Sequence, residues 1–178
     1  MKRLMILIHW LTAILIVCAF VSIEFKSSFG KHNLFHDIMK SSHLYIGFIV
    51  LFLTIARLLL RQFYGGMSCS WYKKSKPRKF IAQSFHMFLY AWLIFMPILG
   101  WCIISAKGTY TIPFGLPSIL DIMPHANVAA IKEVHNTLAY FGLWVIVIHA
   151  FAALFNYYVL KGDFVKKTNF SKKAQNSL

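Results

Sequence analysis

The chain has 178 residues, the size of one domain, so its length calls for no second one. It is 58% hydrophobic and 13% charged, against about 45–50% and about 25% in soluble domains, which excludes water as its main solvent. The formal charge of +14 would suit a nucleic-acid ligand, but the positions of the basic residues account for it without one.

Four apolar stretches, each near the ~20 residues that cross a hydrocarbon layer, predict membrane helices over about 4–23, 43–60, 84–105 and 134–160. Lys2 and Arg3 precede the first, as in a signal peptide. That stretch holds His9 and Trp10 and runs into Glu24, Phe25 and Lys26 rather than a small-residue cleavage site, so it is expected to stay in the mature protein. The first connection, 24–42, contains Gly30, and the second, 62–83, contains Gly65, Gly66 and the basic run Lys73 to Lys79. Pro113, Pro117 and Pro124 break the third, 106–133, where Phe114, Leu116, Ile119, Ile122 and Met123 suggest a lid folded back on the outer face. The expected architecture is an all-α, up-down-up-down four-helix membrane bundle over 1–165, followed by a basic, disordered tail over 166–178.

If the N-terminus starts inside, the cytoplasmic segments hold Lys2, Arg3, Arg57, Arg61, Lys73, Lys74, Lys76, Arg78, Lys79, Lys161, Lys166, Lys167, Lys172 and Lys173. The outer segments hold only Lys26, Lys31, Lys40, Lys107 and Lys132. This bias predicts an inner-membrane protein with both termini cytoplasmic, its excess charge facing anionic lipid. Cys18, Cys69 and Cys102 have no CxxC spacing and are an odd number, so free thiols are expected.

Ionisable residues inside a membrane are costly and point to function; five of the eight histidines lie in or at the ends of the predicted spans, and four of these fall at depths that pair. Depth pairs them: His9 with His149 on the cytoplasmic side, and His43 with His135 on the outer side. The fourteen residues from His135 to His149 turn a helix by ~1400°, which leaves both side chains within ~40° of one direction and ~21 Å apart. One metal ion, at ~2 Å from each ligand, cannot be shared over that distance. Two flat cofactors can. Paired imidazoles on facing helices suit two haems, and the absence of a CxxCH makes them non-covalent, b-type haems. With both axial positions filled, such haems transfer electrons rather than bind oxygen. Gly47 and Gly142 either admit a ring to the backbone or serve helix packing. His86 is a candidate propionate partner, a rival to His9 as ligand, or an interfacial polar residue. His32, His36 and His125 fall in outer connections, where solvated surface is the ordinary role.

The segments IHWL around His9, HLYIGFIVLFLTIARLLLR from His43, SFHMFLYAWLIFMPILGW around His86 and VHNTLAYFGLWVIVIHAFAAL with His135 and His149 resemble the prokaryotic cytochrome b561 family. The likeness spans about Ile6 to Lys161 and is specific only when the four segments are taken together. It is nearest in kind to small stand-alone members that act as superoxide:ubiquinone oxidoreductases. The resemblance implies two haems, held by His9 with His149 and by His43 with His135. It also implies that electrons enter from superoxide outside and leave to ubiquinone in the bilayer.

Under that resemblance, Lys40 and Lys132, each three residues before a ligand, either attract superoxide or snorkel at the interface. Arg57 is deep enough to meet a haem propionate, whereas Arg61 suits lipid anchoring. Asn156 and Tyr157, about two turns beyond His149, are the quinone-site candidates. Two other functions remain open. One is a cytochrome b subunit that links a partner dehydrogenase or hydrogenase to quinone. The other is a non-haem proton or metal carrier, against which the lack of intramembrane Asp or Glu counts.

Overall fold

The computed structural model describes residues 2–30, 33–64, 76–108, 112–118, 127–155 and 158–159. Its elements are α1 (Lys2–Ser27), α2 (Leu34–Tyr64), α3 (Lys76–Lys107), a short 3-10 turn (Pro113–Gly115) and α4 (Val128–Phe155), with no strand among the described residues. All four α-helices are long and apolar enough to cross a membrane.

The helices start and stop outside the bounds that hydropathy set. α2 opens at Leu34 rather than 43, α3 at Lys76 rather than 84, α4 at Val128 rather than 134, and α1 runs to Ser27 rather than 23. The physical reason is that an apolar run marks the segment in hydrocarbon, while helical hydrogen bonding continues through Lys, Ser, His and Asp until a cap or breaker intervenes. α1 ends just before Gly30, in a turn closed by Ser28 N–H to the Phe25 carbonyl at 3.0 Å. Asn33 then caps α2, its Oδ1 accepting from Phe35 N–H at 3.0 Å. Asn127 caps α4 more fully, its Oδ1 accepting from Ala129 N–H at 3.1 Å and Ala130 N–H at 3.2 Å. At its far end α4 is described to Phe155, short of the expected 160.

By its internal contacts the chain divides into two units, Met1–His135 and Asn136–Leu178, and each is described by itself. In the first, α2 packs on both α1 and α3. Phe48, Leu51 and Ile104 form its core, with Leu44, Ile94, Trp101, Ile112 and Leu116 packed around them. Buried hydroxyls are satisfied within their own helices: Thr12 donates to the Ile8 carbonyl and Thr54 to the Val50 carbonyl, both at 2.7 Å. Large apolar side chains such as Leu7, Trp10, Val17 and Phe63 remain exposed, the arrangement a lipid solvent permits and water does not. The second unit is described as the remainder of α4, Asn136 to Phe155, and residues 158–159.

The described part of the third connection folds back onto α2. Phe114, at φ 62°, sets its ring 5.7 Å from Tyr45, 6.4 Å from Phe48 and 6.2 Å from Phe52. Those three residues lie roughly 140–200° around α2 from His43, so this part of the connection braces the opposite face of the helix. Trp101 Nε1–H ties it down by donating to the Pro117 carbonyl at 3.1 Å. Ile119, Ile122 and Met123 lie outside the described residues. The Asn127 cap gives a direct test: Asn127→Ala should cost about 1 kcal/mol, read as a lower thermal midpoint in detergent, while Asn127→Asp should keep the midpoint.

Candidate functional site

Residues spaced 4, 3, 4, 3 and 4 apart lie along one side of a helix, and on α2 this stripe is His43, Gly47, Val50, Thr54, Arg57 and Arg61. It places an imidazole near one end of the span and two guanidiniums near the other. Val50 and Thr54, both buried, separate them.

At the first end, His43 Nδ1 lies 2.9 Å from the Ala19 carbonyl of α1. A carbonyl only accepts, so Nδ1 carries the hydrogen and Nε2 is left with a lone pair, the tautomer a metal-binding histidine needs. The same carbonyl accepts from Ser22 Oγ at 2.9 Å, which holds the acceptor in place. His135, in the second turn of α4, sets its ring centroid 6.4 Å from that of His43, with the ring planes at 82°. Two imidazoles on opposite sides of one iron at ~2 Å metal–nitrogen distance would have centroids roughly 6 Å apart. Rotation of either ring about that axis is free, so the steep interplanar angle is compatible with axial ligation. His135 Nδ1 is buried and makes no hydrogen bond of good geometry, with the Met96 backbone beside it. Among the described residues no group of three or more His, Cys, Asp or Glu side chains could hold a metal ion. A pair of imidazoles suits the two axial positions of a metal held in a macrocycle.

Gly100 of α3 is a residue the sequence did not single out. A Cβ built there would lie 3.6 Å from His135 Cε1, an ordinary van der Waals contact, so the position faces the ring and has room for a methyl group but not for a long side chain. Nothing in ILGW distinguishes this glycine from a packing glycine; its nearness to His135 gives it its role. Gly47, which was singled out, has open space where its Cβ would be, one turn from His43 on the same side of α2. Gly142 and His149 lie farther along α4, in the second unit.

At the other end, His9 of α1 accepts a hydrogen bond at Nδ1 from Arg57 Nη1, at 2.8 Å. A guanidinium only donates, so this ring has the opposite tautomer to His43. The Arg57 and Arg61 guanidinium carbons lie 5.5 and 5.7 Å from the centroid of the Tyr90 ring on α3. His86 Nδ1–H turns back to the Ala82 carbonyl of its own helix at 2.5 Å.

The other candidates scatter. Lys40 is half-buried on α2 and Lys132 is exposed in the first turns of α4. His36, expected in a connection, sits in the first turn of α2, with Nδ1 3.2 Å from Asp37 Oδ1. Asn156, Tyr157, His32, His125 and Cys69 lie outside the described residues. Cys18 and Cys102 are free thiols. A groove of about 500 Å³ lined by Asp37, Ile38, Ser41, Ser42, Tyr45 and Ile46 opens mainly on the side of α2 away from His43, so it is not part of this site.

Comparison with known proteins identifies the family of the chain. The sequence model of a family described as prokaryotic cytochrome b561 matches residues 1–166. "Cytochrome b561 homolog 1" of Escherichia coli (strain K12) is 27% identical over 91% of this chain and 92% of its own. "Probable superoxide oxidase CybB" of Yersinia pestis is 35% identical over 88% of each chain. The chain belongs to the prokaryotic cytochrome b561 family and is a multi-pass bacterial membrane oxidoreductase of the haem-b type.

Proposed function

We propose that the protein is a di-haem superoxide:ubiquinone oxidoreductase. The observation that carries this is the His43–His135 pair, whose 6.4 Å ring separation and His43 tautomer suit two axial ligands on one iron. His9 and His149 are the ligands of the second haem, an assignment supported by their matching depth in the sequence. Bound there, the two haems supply one-electron transfer across the span. The excess of Lys and Arg near His9 supports a cytoplasmic location for that end and for both termini, with the His43 end at the periplasmic face.

Superoxide as donor is supported by the printed name of the Yersinia pestis relative. Each superoxide releases one electron and becomes dioxygen, so two are consumed for every ubiquinone that takes two electrons and two protons. Lys40 and Lys132, each three residues before a ligand of the periplasmic-side haem, attract the anion. Their field is local, because Lys26, Lys31, Lys40, Lys107 and Lys132 face Glu24, Asp37, Asp121 and Glu133, a net of about +1. His43 and His135 hold their haem, and Gly47 and Gly100 leave the ring and its ligand room against α2 and α3. Gly142 does the same on α4, while Arg57 and His86 serve the His9 haem through its propionates. Asn156 and Tyr157 are the quinone-binding residues.

Three outcomes are expected. His135→Ala and His149→Ala should each leave about one haem per chain by pyridine haemochrome; two haems in either variant would refute the pairing. Gly100→Leu, which drives a side chain into the His135 ring, should release the same haem as His135→Ala, whereas Gly100→Ala should retain it. In stopped-flow mixing with superoxide, Lys40→Glu with Lys132→Glu should slow haem reduction ~10-fold at low salt, and the difference should shrink as salt rises. An unchanged rate would remove both lysines from the mechanism, and no haem reduction by superoxide in the unaltered protein would remove the donor.

A further inference from the structure

Pro97 stands inside α3. It has no N–H to give the Leu93 carbonyl, so one rung of the helical ladder is missing, and a helix bends or twists most easily at such a level. The segment that follows is the one that meets His135. Gly100 faces the Cε1 of that ring, and the Met96 backbone, one turn earlier on the same side, lies beside it. Successive residues of a helix point about 100° apart. Turning this segment about its axis by one residue would bring Leu99 or Trp101 to where Gly100 stands, and that place has room for a methyl group but not for a long side chain. Beyond the missing rung, the rotation needs a hold from outside α3.

Trp101 is placed to supply it. Its ring centroid lies 5.7 Å from that of Phe48 on α2, at 67° between the planes, and Phe48 belongs to the buried core with Leu51 and Ile104. Its Nε1–H donates to the Pro117 carbonyl at 3.1 Å. That carbonyl is itself held. Just before it, Pro113 is fully buried, Ile112 and Leu116 pack on the core of Phe48, and Phe114 and Gly115, at φ 62° and 66°, turn the chain. The residue next to Gly100 is thus fixed by α2 and by the third connection together, on the side of α2 away from His43.

We propose that Trp101 is a positioning residue for the periplasmic-side haem: anchored on Phe48 and Pro117, it fixes the rotation of α3 beyond Pro97, so that Gly100 stays against His135 and His135 stays opposite His43. The inference rests on the assignment of His43 and His135 to one haem. Trp101 acts through its neighbour. Without the anchor, a larger side chain of α3 crowds the His135 ring and loosens its hold on the iron.

A haem with both axial positions filled leaves no place for carbon monoxide, and one with a loosened ligand does. The test uses the full-length protein in lipid nanodiscs, loaded with haem, reduced and exposed to carbon monoxide, with binding read from the optical spectrum. The unaltered protein should take up almost none, and Trp101→Leu should take it up at about half of its haem. Trp101→Phe keeps a ring on Phe48 and loses only the donated hydrogen bond, so uptake at the same haem should rise ~10-fold over the unaltered protein; this variant carries the test if Trp101→Leu fails to fold. Combined with His149→Ala, which leaves the His43-side haem, Trp101→Leu should bind carbon monoxide fully, and combined with His135→Ala it should bind none. No uptake in either Trp101 variant, even with a lowered thermal midpoint, overturns the proposal, and so does equal uptake by both haems. Uptake at the His43-side haem of the unaltered protein would overturn the pairing of His43 with His135 instead, so the two failures are distinct.

Discussion

A ring nitrogen inside a membrane has no water to turn to, so the hydrogen on His43 Nδ1 must go to a protein acceptor, and the rest of the site follows from which one it takes. The Ala19 carbonyl, 2.9 Å away on α1, fixes both the tautomer and the direction of the ring. It leaves Nε2 with its lone pair, and the His135 ring lies 6.4 Å away from centroid to centroid. α3 presents Gly100 towards the His135 ring, where a Cβ would make ordinary van der Waals contact and a larger side chain would collide. One carbonyl, one glycine and two imidazoles from four helices thus set the position of an axial pair.

The two ends of α2 show how a single helical stripe is put to different uses. Near its start the stripe carries His43, and fourteen residues later it carries Arg57, in contact with His9. The tautomers at the two ends are opposite because one histidine faces an acceptor and the other a donor. Between them, Thr54 satisfies its own hydroxyl on the Val50 carbonyl, so the middle of the stripe needs no outside partner. Chemistry is confined to the ends, where the charged and polar groups lie.

The four helices were legible in the sequence because hydrocarbon imposes long apolar runs, and the depth of His43 and His135 was legible because helix direction alternates from span to span. The boundaries were not. α2 starts at Leu34 because Asn33 caps it, and a cap beyond the apolar run leaves no trace in hydropathy. Gly100 was hidden because its role depends on the distant His135, and the Arg57–His9 bond because its partners stand 48 residues apart. The fold-back of the third connection was anticipated from its apolar residues, but not the face of α2 it meets: Phe114 lies against Tyr45, Phe48 and Phe52, across the helix from His43. Aromatic content alone carries no information about which face of a neighbouring helix it will meet.

The central claim is that paired imidazoles at each end of the span hold two b-type haems in one chain. Its most direct test is a reduced-minus-oxidised spectrum of the purified, unaltered protein, with haem and protein quantified in the same sample. The account predicts b-type bands at a ratio of two haems to one chain; a ratio of one, or no b-type bands at all, would contradict it.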